Sequence, residues 1–176
     1  MAHSRTGERR NALALGSTKR VALALLALSG LSALGVARAQ APSTPSYVPK
    51  VARLLDGSGF PYVKRADSVW TIEFHRENLK TFQAIIAPGG DLLVTFVIMA
   101  KNAQLNVTPE FMNTLLHLNH ELDYVKVGLD NDGDLFVRCD LALRILDEQE
   151  FKHAIGQLAA SADQAYGRVN SFISTQ

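Results

Sequence analysis

The chain is poor in the residues that staple a fold or carry out catalysis. Its 176 residues include a single cysteine, Cys139. One cysteine excludes an internal disulfide and any cysteine-rich zinc site. Net charge is scarce too: 18 Lys+Arg against 17 Asp+Glu leave +1. A protein that grips nucleic-acid phosphates needs a basic surface, so no nucleic-acid partner is expected. The signatures G-x-S-x-G and H-E-x-x-H are missing, and no glycine-rich loop joins a strand to a helix. Gly57-Ser-Gly59 reads as a helix stop rather than a phosphate cradle. No catalytic, cofactor-binding or metal residue is therefore assigned, and no cofactor is expected. What is abundant is apolar: 47% hydrophobic against 20% charged residues excludes global disorder and suits one folded domain.

The charge balance joins two unlike segments. Arg5, Arg9, Arg10, Lys19 and Arg20 stand against Glu8 alone, followed by the apolar run Val21–Val36 and then Ala37-Arg38-Ala39. A basic start, a short apolar stretch and small residues at the cleavage positions read as a secretory signal peptide over 1–39. The alternative is an uncleaved anchor, although the run is short for a span of about 20 residues. Arg9-Arg10 hints at twin-arginine export, but its distance from the apolar run favours general secretion. Cleavage after Ala39 leaves 12 basic and 16 acidic residues, a net charge of −4. This reading expects a periplasmic or secreted protein that meets the membrane only transiently, through its leader. Cys139 then sits in an oxidising compartment, where burial in a strand is expected over an intermolecular disulfide.

Residues 40–49, with three prolines, read as a flexible linker. A single domain is expected over 50–176. Lys50–Leu55 is a short helix stopped by Asp56–Gly59, and Pro61–Arg65 is a weak strand. Trp70, Ile72 and Phe74 alternate with polar residues, the period-2 mark of a half-buried strand that puts Trp70 in the core. Thr81–Ile86 and Leu92–Ala100 flank the hairpin turn Pro88–Asp91. Thr108-Pro109-Glu110 opens a helix that ends near Leu122, because threonine caps, proline fits the first turn and glutamate favours the positive dipole end. Tyr124–Asp130 and Asp134–Asp140 form a hairpin around Asn131-Asp132-Gly133. Asp147–Glu150 then starts a long helix running to about Ser171, its stripe traced by Phe151, Ile155, Leu158, Ala162, Ala165, Val169 and Phe172. The order α-β-β-β-α-β-β-α predicts an α+β fold: a twisted antiparallel sheet of about five strands packed by helices.

The strand at Leu92–Ala100 is apolar on both faces, so both expect cover, from a helix or from a partner. Leu93, Thr95, Val97 and Met99 are the candidate partner-binding stripe, with exposed sheet edges open to an added strand. Asp130, Asp132 and Asp134 resemble the start of a calcium loop. However, the positions needing glycine and glutamate hold Leu135 and Leu141, so a hairpin turn is expected. His117 and His120 share a helix face but have no third ligand placed by spacing. Glu73, His75, Arg76 and Glu77 read as a solvated strand end.

Three stretches carry a family resemblance: Leu115-Leu-His-Leu-Asn-His-Glu-Leu122, Val125-Lys-Val-Gly-Leu-Asp130 and Asp132-Gly-Asp-Leu-Phe-Val-Arg138. Together with Asp140-Leu141 and the helix start Asp147-Glu148, they resemble the YbjN family over roughly 50–170. The resemblance implies a fold similar to type III secretion chaperones and a non-enzymatic role as a sensory transduction regulator. The similar chaperones act as dimers that bind extended segments of partner proteins. The family is commonly cytoplasmic, at odds with the export leader. The expected function is an exported protein-interaction module, chaperone-like or regulatory. Its expected partners are itself, as a homodimer, and an unidentified protein or peptide. The alternative is a small-molecule or lipid binder with a cavity between the sheet and the C-terminal helix.

Overall fold

A computed structural model describes residues 46–174. The signal-peptide reading of 1–39, and residues 40–45 of the expected linker, fall outside the described residues. The described elements run α1 (Val48–Ser58), β1 (Tyr62–Ala66), β2 (Val69–His75), β3 (Thr81–Gly89), β4 (Leu92–Ala100), α2 (Pro109–Glu121), β5 (Lys126–Leu129), β6 (Leu135–Ala142) and α3 (Glu148–Val169). The sheet is antiparallel throughout, in the order β1-β2-β3-β4-β6-β5. It has six strands rather than about five, so the expected order gains a strand ahead of α2. The strand left out of that count is β1, the weak strand read at Pro61–Arg65, whose side chains are almost all exposed and show no alternation.

Local chemistry sets the helix ends. The Thr108 hydroxyl accepts a hydrogen bond from the Phe111 amide, and the Asp147 carboxylate accepts one from Glu150. Pro49 lies in the first turn of α1, and Gly59 closes it at φ 77°. The β3–β4 hairpin turns at Gly90, φ 65°.

Register sorts the sheet into two faces. The inner face carries Trp70, Ile72, Ala84, Ile86, Leu93, Val97, Leu135 and Val137, each at most 2% exposed. α3 lies across β3, β4 and β6, α1 packs against α3, and α2 sits beside β5 and α3. Phe151, Ile155 and Leu158 of α3 are fully buried. Each such side chain stabilises the fold by about 1.5–3 kcal/mol. These residues form the core between the sheet and α3. The β4–β6 ladder runs from Leu92↔Ala142 to Ala100↔Leu135 and joins the β1–β4 meander to the β5–β6 hairpin.

Two side chains clamp elements that are distant in sequence. Asp163 of α3 accepts hydrogen bonds from the Asn78 and Leu79 amides, at 2.8 Å each, and from Asn78 Nδ2, tying down the β2–β3 turn. Asn119 of α2 donates through Nδ2 to Leu115 O and Val127 O and accepts at Oδ1 from Val127 N, all at 2.8–2.9 Å. The polar groups of Val127 that face away from β6 are thereby closed. One sheet edge is capped by an amide side chain.

Candidate functional site

The four residues expected to bind a partner are core. Leu93, Thr95 and Val97 are fully buried and Met99 is 7% exposed. They share the inner face with Leu141, Cys139 and Val137 of β6. The expectation is corrected because a side chain covered by a helix has no surface to offer. The Thr95 hydroxyl is spent on Cys139 O at 3.0 Å.

The opposite face of β4 is open. Val94, Phe96 and Ile98 are half-buried, and Leu92 is 40% exposed. Cross-strand pairing sets Ile85 and Ala87 of β3 beside Phe96 and Val94, and Phe136 of β6 beside Ile98. Seven apolar side chains thus form one patch, and among the described residues no helix covers it. The patch has polar borders. On the β1–β2 side stand Arg65, which donates to Thr71 and Gln83, and Glu73 with His75. On the β5 side the Asp140 carboxylate accepts from both Lys126 and Arg138 at 2.7 Å. Burial pushes this carboxyl up, but its bonds to Arg138 and Lys126 outweigh burial and hold it below the usual carboxylate range.

Val94, Phe96, Ile98, Asp130, Phe136 and Arg138 line a groove of about 210 Å³ in this patch. Pockets for whole small molecules are usually about 300–1,000 Å³, so this groove suits a single inserted side chain. Gly128 pairs with Phe136, and the tip of that ring lies over the glycine: a Cβ built there meets Phe136 Cζ at 3.5 Å.

The other candidate residues are spent or scattered. Asp130 Oδ1 accepts from the Asp132 and Asp134 amides, which makes the hairpin turn. Asp134 bonds Lys101 Nζ at 2.7 Å and the Asn102 amide at 2.9 Å, which hold its carboxyl low. His117 and His120 are exposed, and among the described residues no three His, Cys, Asp or Glu side chains gather to hold a metal. His75 bonds Thr81 and lies near Glu73 at the surface. Trp70 is core, 2% exposed. Cys139 is buried, and burial pushes its thiol up to about 11.

Comparison with solved structures places this fold. The crystal structure of YbjN from E. coli, described as a putative transcription regulator, superposes with a TM-score of 0.53 at 16% identity, covering 73% of this chain and 93% of that one. The ExsC–ExsE complex matches at TM-score 0.51 and 14% identity, over 69% of this chain and 95% of that one. The Yersinia pestis type III secretion chaperone SycH, in complex with a fragment of YscM2, matches at 0.47 and 13%, over 68% and 99%. At such identities the likeness to YbjN and to the ExsC–ExsE complex establishes the fold alone: α+β, an antiparallel sheet packed by helices. No curated protein matches the chain. The expected periplasmic or secreted location is corrected. It rested wholly on 1–39, outside the described residues, and it stands against the cytoplasmic setting of the neighbours that share this fold. The matching family model, described as "Putative bacterial sensory transduction regulator", spans residues 49–170, and the chain belongs to this YbjN family.

Proposed function

We propose that the protein is a non-enzymatic interaction module, chaperone-like or regulatory, that takes a polypeptide segment of a partner on the outer face of its sheet. The observation that carries this reading is the uncovered apolar patch from Ile85 across Val94, Phe96 and Ile98 to Phe136. The fold supports it by supplying a rigid platform, since the helices all serve the other face. An apolar centre with a polar border is the anatomy of a protein-binding surface. The groove's size argues for side chains of a polypeptide rather than a free small ligand.

Self-association belongs to the same reading. Met112 and Leu116, one turn apart on α2, are 43% and 69% exposed and offer a second apolar surface. Sedimentation of the full chain tests this, and a strict monomer at high concentration removes the homodimer.

The binding reading is tested by selecting displayed random peptides against the full chain and mapping the winners by amide chemical shifts. Enrichment of segments that perturb β4 and β6, and that are lost on Val94→Asp, is expected. Selected peptides that map elsewhere, or no selection at all, remove the reading.

A further inference from the structure

We infer that the outer face takes its partner segment as an amphipathic helix with acidic flanks, laid along β4. This rests on the reading of the outer face as a partner-binding surface and specifies the conformation and charge of what it takes.

The shape of the patch points to a helix. Val94, Phe96 and Ile98 run down its middle, with Ile85 and Ala87 on one side and Phe136 and Arg138 on the other. Three strands make it about 10 Å wide, and the run from Leu92 to Ile98 makes it about 20 Å long. A helix is about 10–12 Å across, and about 13 residues of it span that length. The molecule meets the same demand on its inner face with one helix, since α3 lies across these same three strands. The backbone argues the same way. β3 is paired by β2 and β4, and β4 by β3 and β6, so a segment on this face finds no ladder to join. An extended segment sets its own N–H and C=O groups beside apolar side chains with nothing to bond, whereas a helix closes them internally. The groove of about 210 Å³ beside Phe96, Ile98 and Phe136 then receives one large apolar side chain of the helix.

The borders set the charge. Arg65 donates to Thr71 of β2 and, at 3.4 Å, to Gln83 of β3, both neutral, and among the described residues no carboxylate pairs with it. Glu73 stands 3.4 Å from His75 instead. On the opposite border Lys126 and Arg138 share the one carboxylate Asp140. The cations Arg65, Lys126 and Arg138 thus outnumber the carboxylates Glu73 and Asp140 along the borders, whereas residues 40–176 as a whole carry 12 basic against 16 acidic residues. The outer face is the positive side of an acidic chain. A helix lying between the borders turns the residues that flank its apolar stripe toward both of them. Glutamates there meet Arg65 on one side and the surplus charge of Lys126 and Arg138 on the other. Such pairs sit in water at the rim, so they govern selectivity and salt dependence while the apolar stripe supplies the affinity.

The test uses the full chain and four fluorescent peptides of about 16 residues, enough to cover the strip as a helix. The first has leucine or phenylalanine at heptad positions a and d, glutamate at e and g, and alanine and glutamine elsewhere. The second exchanges glutamate for lysine. The third respaces the residues of the first so that apolar and polar alternate, and the fourth sets a proline at the centre of the first. The first peptide is expected to bind, to gain helical circular dichroism on binding and to shift amides of β3, β4 and β6. The lysine peptide is expected to bind about threefold to tenfold more weakly, a gap that closes at high salt. The proline is expected to weaken binding about a hundredfold. Arg65→Glu, at an exposed residue, is expected to narrow the advantage of glutamate over lysine. Outer-face binding by the alternating or the proline peptide as tight as that of the first overturns the helix and leaves the binding face standing. Equal affinity of the glutamate and lysine peptides overturns the acidic flanks. Concentration-dependent shifts of the same amides without peptide assign the face to a second copy and overturn the inference. Absence of binding by all four, with selected peptides still mapping to β4 and β6, overturns the inference alone; absence of both overturns the reading of the face as well.

Discussion

Asn119→Ala measures how much one side chain contributes by closing a sheet edge. The native amide makes three hydrogen bonds, to Leu115 O, Val127 O and Val127 N. Each contributes about 1 kcal/mol net, more where the partner is left dry. Alanine's better helix propensity returns about 0.5 kcal/mol. The balance is a loss of about 2–3 kcal/mol, or about 8–12 °C in Tm for a domain of this size. Urea unfolding should show the midpoint falling with an unchanged slope. Hydrogen exchange should find the Val127 amide unprotected. Asn119→Asp keeps the acceptor but sets a carboxylate against two carbonyls, and should cost at least as much. A loss below about 0.5 kcal/mol, with Val127 still protected, would refute the idea that this amide holds the β5 edge.

Three further outcomes follow from the same geometry. Cys139 should resist iodoacetamide at pH 8 in the native protein and react only on unfolding, because burial pushes its thiol up to about 11. Asp134 is held low by the Lys101 ammonium and the Asn102 amide, so its stabilisation is complete above the ordinary carboxylate value of about 4 and fades as pH falls through the native value. The urea midpoint should therefore drop more steeply on acidification below about pH 4 in the native chain than in Asp134→Asn. Gly133→Ala should lose about 1–3 kcal/mol by thermal melting, since φ is 81° and the new Cβ meets the Asn102 side chain at 2.8 Å.

The elements with strong local signals were legible in the sequence. The caps at Thr108 and Asp147 are used as read, and the α3 stripe from Phe151 to Val169 is buried. The α1 helix extends to Val48–Ser58, beyond the expected Lys50–Leu55, because Pro49 starts it and Gly59 ends it. The face of β4 that points inward was not legible. Both of its faces are apolar, and the choice is made by β6, which pairs across more than forty residues and carries Arg138 and Asp140 on the outer side. Those two charges on β6 were the available signal, and reading them required the β4–β6 pairing. Asn119 and Asp163 were missed for the same reason. A polar residue on a helix looks solvated until the chain brings the receiving backbone to it.

The β4–β6 seam also bears on how the chain folds. The meander β1–β4 and the unit α2-β5-β6 are each built from neighbours in sequence, so each closes only short loops. Joining Thr95 to Cys139 closes a loop of more than forty residues, and its entropic cost precedes any gain from the ladder. Loop-closure entropy therefore predicts that zipping this seam limits the rate of refolding. Truncations at Val97 or Val137 on the seam slow refolding, whereas changes on the outlying β1 mainly speed unfolding. A cut in the connection between Lys101 and Val107 spares every strand ladder but falls in a segment tied to the other half by the Leu105–Ile173 bridge and by Lys101 and Asn102 on Asp134.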